Sequence, residues 1–251
     1  MSNKQLLTSL NRAELEAHLR QIGQPSYRAG QIFRWLYQAG KSQAAEFTDL
    51  PLELRQQLEA DFIINPLQLK EKASSKDGTI KYLFELQDGN FIETVMIPAG
   101  KRQTFCLSTQ VGCKFHCAFC ASGLHGFKRN LEAGEIISQV LNLKYNYGHQ
   151  PTNLVLMGMG EPLDNLDNVL KAIRILNDQN GLALGARRIT VSTVGLIPAL
   201  KKLMDFELQI NLSLSIHSAI DEKRTQLMPV NKKYPLEELI EAAEDYLKAG
   251  G

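Results

Sequence analysis

Between residues 9 and 62 apolar residues recur at intervals of three and four, and the pattern predicts three short helices. Asn11, with Glu14 three positions on, forms a capping box for the first, whose Leu15, Leu19 and Ile22 make one stripe before Gly23 stops it. Ser26 is placed to cap the second, which carries Ala29, Ile32, Phe33 and Leu36 and ends at Gly40. The third runs over 52–62 with Leu54, Leu58 and Phe62 inward. After Asn65-Pro66 the period changes to two. Segments 67–72, 79–86 and 91–97 read as strands of an antiparallel meander, with turns at Lys76-Asp77-Gly78 and Gln87-Asp88-Gly89-Asn90. In the last strand Phe91, Glu93, Val95 and Ile97 share a face, which sets a carboxylate among apolar neighbours where desolvation raises its pKa. A glutamate at a solvated strand edge is the plainer alternative.

Further on, helix and strand alternate: helix 132–147, strand 153–157, helix 166–178, strand 188–194, a short helix from Ile197, strand 208–215 and helix 236–247. With a strand near Cys106 this makes four strands joined by helical crossovers, the mark of an α/β fold with a parallel sheet or part of a barrel. Ligands in such sheets sit at the carboxyl ends of strands. There the chain places Gly158-Met159-Gly160-Glu161-Pro162, Val191-Ser192-Thr193-Val194-Gly195 and Leu214-Ser215-Ile216-His217-Ser218. The glycines allow close backbone approach, and the carboxylate, hydroxyls and imidazole can hydrogen-bond a ligand. Taken alone, Ser192 serves equally as a helix cap and His217 as a loop histidine.

All four cysteines fall within one stretch, Cys106 and then Cys113, Cys117 and Cys120 spaced C-x3-C-x2-C. Thiolates so crowded suit one soft-ligand centre, zinc or iron–sulfur. Neither a distant cysteine pair nor an H-x3-H run completes a zinc site. Three ligands on a four-iron cluster leave one iron open to a small molecule, as catalysis requires. Cys106 by itself reads as a small hydrophobe in a strand.

At 251 residues, 44% hydrophobic and 22% charged, the chain can bury a core, which excludes disordered and fibrous classes. A net charge of +1 means that any contact with a polyanion is a local patch; Arg28, Arg34, Trp35 and Tyr37 are candidates in the helical region. The N-terminus has no apolar run fit for a signal peptide, and no 18-residue apolar segment occurs, so no membrane is expected and a reducing, cytoplasmic setting is.

The cysteine spacing, with Phe119 before the last cysteine, resembles the signature of the radical S-adenosylmethionine (SAM) enzymes. The longer run from Cys106-Leu-Ser-Thr-Gln-Val-Gly-Cys113 through Gly126-Phe127-Lys128-Arg129-Asn130-Leu131 is similar to the RlmN type, which methylates C2 of adenine in ribosomal and transfer RNA. The resemblance implies a partial (βα) radical SAM barrel over 100–251, a helical accessory RNA-binding domain over 1–64 and an antiparallel β extension over 65–99. It implies a [4Fe-4S] cluster on Cys113, Cys117 and Cys120, and SAM held by Gly160, Glu161, Ser192, Ser215, Ile216 and His217. Glu93, in Glu93-Thr94-Val95, is implied as proton acceptor. Cys106 is implied as the thiol that releases product by forming a disulfide with a methyl-carrying cysteine. Partners would be ribosomal or transfer RNA and an electron donor such as flavodoxin or ferredoxin, with the protein a monomer. No cysteine follows Cys120 before Gly251, so the methyl-carrying cysteine is expected to be lacking, the barrel incomplete and the chain inactive as it stands. A different radical SAM reaction, such as adenine C8 methylation or protein activation, and an RNA-binding remnant are the alternatives.

Overall fold

The computed structural model describes residues 4–124 and 126–249. Met1–3, His125, Gly250 and Gly251 lie outside the described residues, and with them the outer ends of the first and last expected divisions.

The chain opens with a two-residue strand, β1 (Gln5–Leu6), and the helices α1 (Arg12–Gln21), α2 (Arg28–Phe33) and α3 (Leu52–Asp61). The capping box on α1 forms as expected, Asn11 accepting from Glu14 N–H and Glu14 from Asn11 N–H. Ser26 does not cap α2; Tyr27 holds that position without a side-chain bond, and the helix runs on as a wide π-turn over Arg34–Gln38. Tyr37 is wholly buried in the core, and both Arg34 and Trp35 hydrogen-bond Asp49. Of the four residues considered for polyanion contact, Tyr37 is thus core, and Arg34 and Trp35 are engaged within the fold. A second short strand, β2 (Phe62–Ile63), pairs parallel with β1.

One seven-stranded sheet follows. It contains the meander β3 (Gln68–Ser74), β4 (Ile80–Glu85) and β5 (Phe91–Ala99), then β6 (Arg102–Cys106), and its order continues across β9 (Asn153–Leu156), β10 (Ile189–Thr193) and β11 (Asn211–Leu214). Strands β6, β9, β10 and β11 are parallel, the four the alternating pattern predicts, and the meander continues their edge antiparallel at β5–β6. Between β6 and β9 lie a small hairpin, β7 (Gln110–Gly112) with β8 (Phe127–Asn130), a single turn α4 (Ala121–Leu124) inside its loop, and α5 (Ala133–Leu141), which widens into a π-turn over Asn142–Asn146. The later crossovers are α6 (Leu166–Asn177), α7 (Ile197–Leu203), α8 (Asp221–Leu227) and α9 (Leu236–Lys248).

Alternation assigns the two faces of the sheet. Ile92, Met96, Phe105, Leu154, Leu156, Ile189 and Val191 are buried beneath the helices. The opposite face carries Glu93, Val95, Cys106, Val155, Met157, Thr190 and Ser192, several of them partly open. The N-terminal helices are fastened to the sheet's helical layer: Gly134 N–H, at the start of α5, donates to Ser9 Oγ at 2.9 Å, and Lys171 on α6 pairs with Glu14 at 2.8 Å. Among the described residues no helix is long and apolar enough to cross a membrane.

Candidate functional site

The C-x3-C-x2-C loop spans the gap between β7 and β8. Cys113 N–H donates to the Gly126 carbonyl at 3.2 Å, and Gly112, at φ +74°, leaves no room for a Cβ against that same carbonyl. Within the loop Cys120 N–H bonds to the Cys117 carbonyl at 3.0 Å, and Ala118 N–H to the Leu227 carbonyl at 2.8 Å, which ties the loop to the end of α8. Cys113 is buried, Cys117 and Cys120 are half-buried, and all four cysteines are free. Burial, reinforced by Cys113 and Cys120, pushes the Cys117 thiol up to about 11; burial also raises Cys113, against the backbone N–H of Phe115. Such thiols stay protonated at neutral pH unless a metal takes the proton's place. Among the described residues no three His, Cys, Asp or Glu side chains close on one ion.

The turn after β9 presses against the same loop's root. Gly158 N–H donates to the Leu107 carbonyl at 3.0 Å, and the Met159 carbonyl accepts from Thr109 N–H at 2.8 Å. Gly160 has φ +102°, and a Cβ there would meet Gln110 Cβ at 2.5 Å, so glycine is demanded by backbone geometry whatever ligand binds. Glu161 is 2% exposed. Its Oε1 accepts from Leu163 N–H at 3.1 Å and its Oε2 from Val194 N–H at 2.9 Å. Burial pushes its carboxyl up to about 7, against the hydrogen bonds from Thr193, Val194 and Leu163 that favour the charge. Three hydrogen bonds on two oxygens leave one lone pair for a cationic ligand group.

The other strand ends meet this turn. Ser192 Oγ and Ser215 Oγ lie 3.4 Å apart at the mouths of β10 and β11, and Ser215 N–H donates to the Thr193 carbonyl at 2.8 Å. Ser192 does not cap α7, which begins at Ile197 behind Leu196. His217, just past Ile216, takes a left-handed φ of +58°, and its ring lies against Phe119 with centroids 4.0 Å apart. Through Phe119 the cysteine loop therefore touches the β11 mouth, and Glu161 acts electrostatically on Cys113 and Cys117.

Glu93 departs from the expected surroundings. Its face of β5 is the open one, its side chain is 40% exposed, and its carboxylate pairs with Lys81 of β4 at 2.7 Å. It borders a cavity of about 380 Å3 whose walls are Leu83, Phe91 and Met159 on one side and Val111, Gly112, Ser122 and Lys128 of the cysteine hairpin on the other. Cys106 projects from the same sheet face, opposite Val95, the residue two beyond Glu93. Burial pushes its thiol up to about 11.

Residues that the motifs did not single out hold these pieces together. Gln110 is buried; its Oε1 accepts from Glu161 N–H at 2.9 Å while its Nε2 donates to Asn130 and Asp164, each at 2.8 Å. Asn165 donates to the carbonyls of Thr109 and Leu131, both at 2.8 Å. The sequence signal for Gln110 is a polar run, Ser108-Thr109-Gln110, inside an otherwise apolar segment, and Asn165 has none.

Residues 107–251 match the Radical SAM superfamily, and residues 6–64 match the ribosomal RNA large subunit methyltransferase N-terminal domain. Proteins described as probable dual-specificity RNA methyltransferase RlmN from Staphylococcus aureus strains JH9 and Newman are 47% identical over 97% of this chain and 68% of their own length. The chain belongs to the RlmN family of radical SAM proteins. A crystal structure of a radical SAM methyltransferase from Sphaerobacter thermophilus agrees, with a TM-score of 0.93 and 42% identity over 98% of this chain and 73% of that one. As an RlmN-type radical SAM methyltransferase, the chain is a SAM-dependent enzyme whose family uses a 4Fe–4S cluster and S-adenosylmethionine. Both groups fit what is present: an all-sulfur donor set, and beside it a mouth with a buried carboxylate and two hydroxyls 3.4 Å apart.

Proposed function

We propose that this chain carries the radical-generating site of an enzyme that places a methyl group on C2 of an adenine in ribosomal or transfer RNA. The reading rests on one juxtaposition above all: Glu93 borders a cavity of about 380 Å3 whose opposite wall is the cysteine hairpin. In this proposal Cys113, Cys117 and Cys120 hold the cluster, and Gly160, Glu161, Ser192, Ser215, Ile216 and His217 hold SAM. When bound, these groups supply one-electron radical chemistry and the methyl group.

The chain's own residues position and move protons. An adenine reaches the cavity only when splayed from its stack, which favours a loop nucleotide, and Leu83, Phe91 and Met159 offer the apolar walls for it. A Glu93 oxygen takes the proton lost from the substituted ring, and Lys81 releases its 2.7 Å contact to allow that. Cys106 Sγ loses its own proton and attacks the sulfur of the methyl-carrying cysteine, forming a disulfide while that sulfur's bond to the transferred carbon breaks and the carbon takes a proton. Residues 1–64 bind RNA, 65–99 supply Glu93 and 100–251 form the SAM core. The protein acts as a cytoplasmic monomer and takes electrons from a flavodoxin or ferredoxin.

No cysteine follows Cys120 in the 251 residues, so this chain by itself offers no methyl-carrying thiol. Anaerobic reconstitution with iron and sulfide, then incubation with SAM, reductant and RNA, tests the reading by mass spectrometry. Release of 5′-deoxyadenosine without 2-methyladenosine is expected. Clear 2-methyladenosine would show that another methyl carrier operates, and an RNA product methylated at C8 would overturn the C2 assignment.

A further inference from the structure

Arg224, on α8, is the largest fully buried side chain among the described residues, with no exposed surface. Its guanidinium donates to Asn231 Oδ1 and to the Val194 carbonyl, the latter at 2.7 Å, while its buried Nε–H has no partner among the described residues. Among the described residues no carboxylate makes an ion pair with it. Asp221, exposed one turn back, acts on its charge without an ion pair and is bonded to Asn231, whose Nδ2 donates to Asp221 Oδ1 at 2.9 Å. The other group acting on its charge is Cys117. A buried cation is ordinarily matched by an acid, and a brace for α8 alone would be served by a neutral donor. This one instead bonds Val194, just past the β10 mouth, from the helix whose Leu227 carbonyl holds the cysteine loop at 2.8 Å.

We propose that Arg224 is a positioning residue that supplies the cluster with buried positive charge from the protein side and so sets how readily the cluster accepts an electron. The inference rests on the assignment of Cys113, Cys117 and Cys120 as cluster ligands. An iron–sulfur group on three thiolates carries net negative charge and gains more on reduction. A buried guanidinium on the helix that holds the cluster loop, acting through a low-dielectric interior, favours the reduced form and raises the potential.

The test uses the anaerobically reconstituted chain with Arg224→Gln and Arg224→Lys, reading iron content, circular dichroism and the midpoint potential by redox titration. The Gln variant is expected to move the potential to more negative values with secondary structure unchanged, and the Lys variant to stay near wild type. An unshifted potential in a folded Gln variant overturns the proposal, as does a Lys variant displaced as far as Gln. If Gln does not fold, the Lys variant decides: a wild-type potential upholds the role of charge and a displaced one overturns it. A wild-type chain that takes up no iron overturns the ligand assignment as well, whereas iron uptake with indifferent variants overturns this inference alone.

Discussion

The carboxylate of Glu161 accepts the backbone N–H of Val194 at 2.9 Å, joining the turn after β9 to the mouth of β10 across 33 positions of sequence. Burial makes the carboxyl hard to ionise, against the bond that shapes the site, which favours its charge.

That gives a pH dependence with a definite sign. Burial raises the Glu161 carboxyl from 4.5 to about 7, so folding gains from the protonated form. The gain is complete below about 4.5 and lost as pH rises through about 7, a span worth on the order of 3 kcal/mol. Thermal melts of the metal-free chain at pH 5 and pH 8 should show this fall, and Glu161→Gln should flatten it. An equal slope in the variant would assign the effect elsewhere.

Gly160→Ala should destabilise the chain by about 2 kcal/mol or more, since alanine at φ +102° is strained and its Cβ meets Gln110 at 2.5 Å. The turn would move off Leu107–Gln110, and SAM affinity measured by equilibrium dialysis should drop at least about tenfold. Full affinity in the variant would show that the turn's close approach is not needed for binding.

Arg129 clamps the cysteine hairpin. It pairs with Glu135 through two bonds of 2.8 Å and with Asp88 at 2.6 Å, while Glu135 is 5% exposed. Arg129→Met leaves that acid buried without its partner and should lower stability in urea titrations by about 3 kcal/mol. Burial works to raise the Asp88 carboxyl, but the bonds from Arg129 and Asn90 prevail and hold it at about 2. The stability from this pair is therefore present above about 3.8 and lost as pH falls through about 2, and the variant should lose that acid limb.

Cys106 should be slow to alkylate in the native chain. Burial pushes its thiol up to about 11, so iodoacetamide labelling at pH 7.5, followed by peptide mass spectrometry, should spare it and accelerate only as pH approaches that value. Rapid labelling at neutral pH would mean that the sheet face opens in solution.

Much of the scaffold is written locally. The Asn11–Glu14 box, the change of period after Pro66 and the four parallel strands rest on interactions within a few residues or on a repeat, and such signals survive in a linear reading. Signals that depend on distant neighbours do not. The helix expected over 132–147 widens into a π-turn after Leu141. The β7–β8 hairpin, interrupted by the cysteine loop, shows no strand alternation, and α8 hides Arg224 within the charged run Asp221-Glu-Lys-Arg. Glu93 was legible as a residue sharing a face with apolar neighbours; that the face is open and that Lys81 answers the charge depends on which side of the sheet the helices cover.

The sequence by itself determined the chemistry available, because soft-metal binding follows from ligand type and spacing and needs only a loop to gather Cys113, Cys117 and Cys120. It also determined the order of strands and helices, since hydrophobic period is a property of the chain. The tertiary structure alone decided what that chemistry faces. Glu161 meets Val194, Phe119 meets His217 and Arg224 bonds the Val194 carbonyl because parallel strands bring their ends to one rim, and the buried charges there are set by desolvation that no stretch of sequence contains.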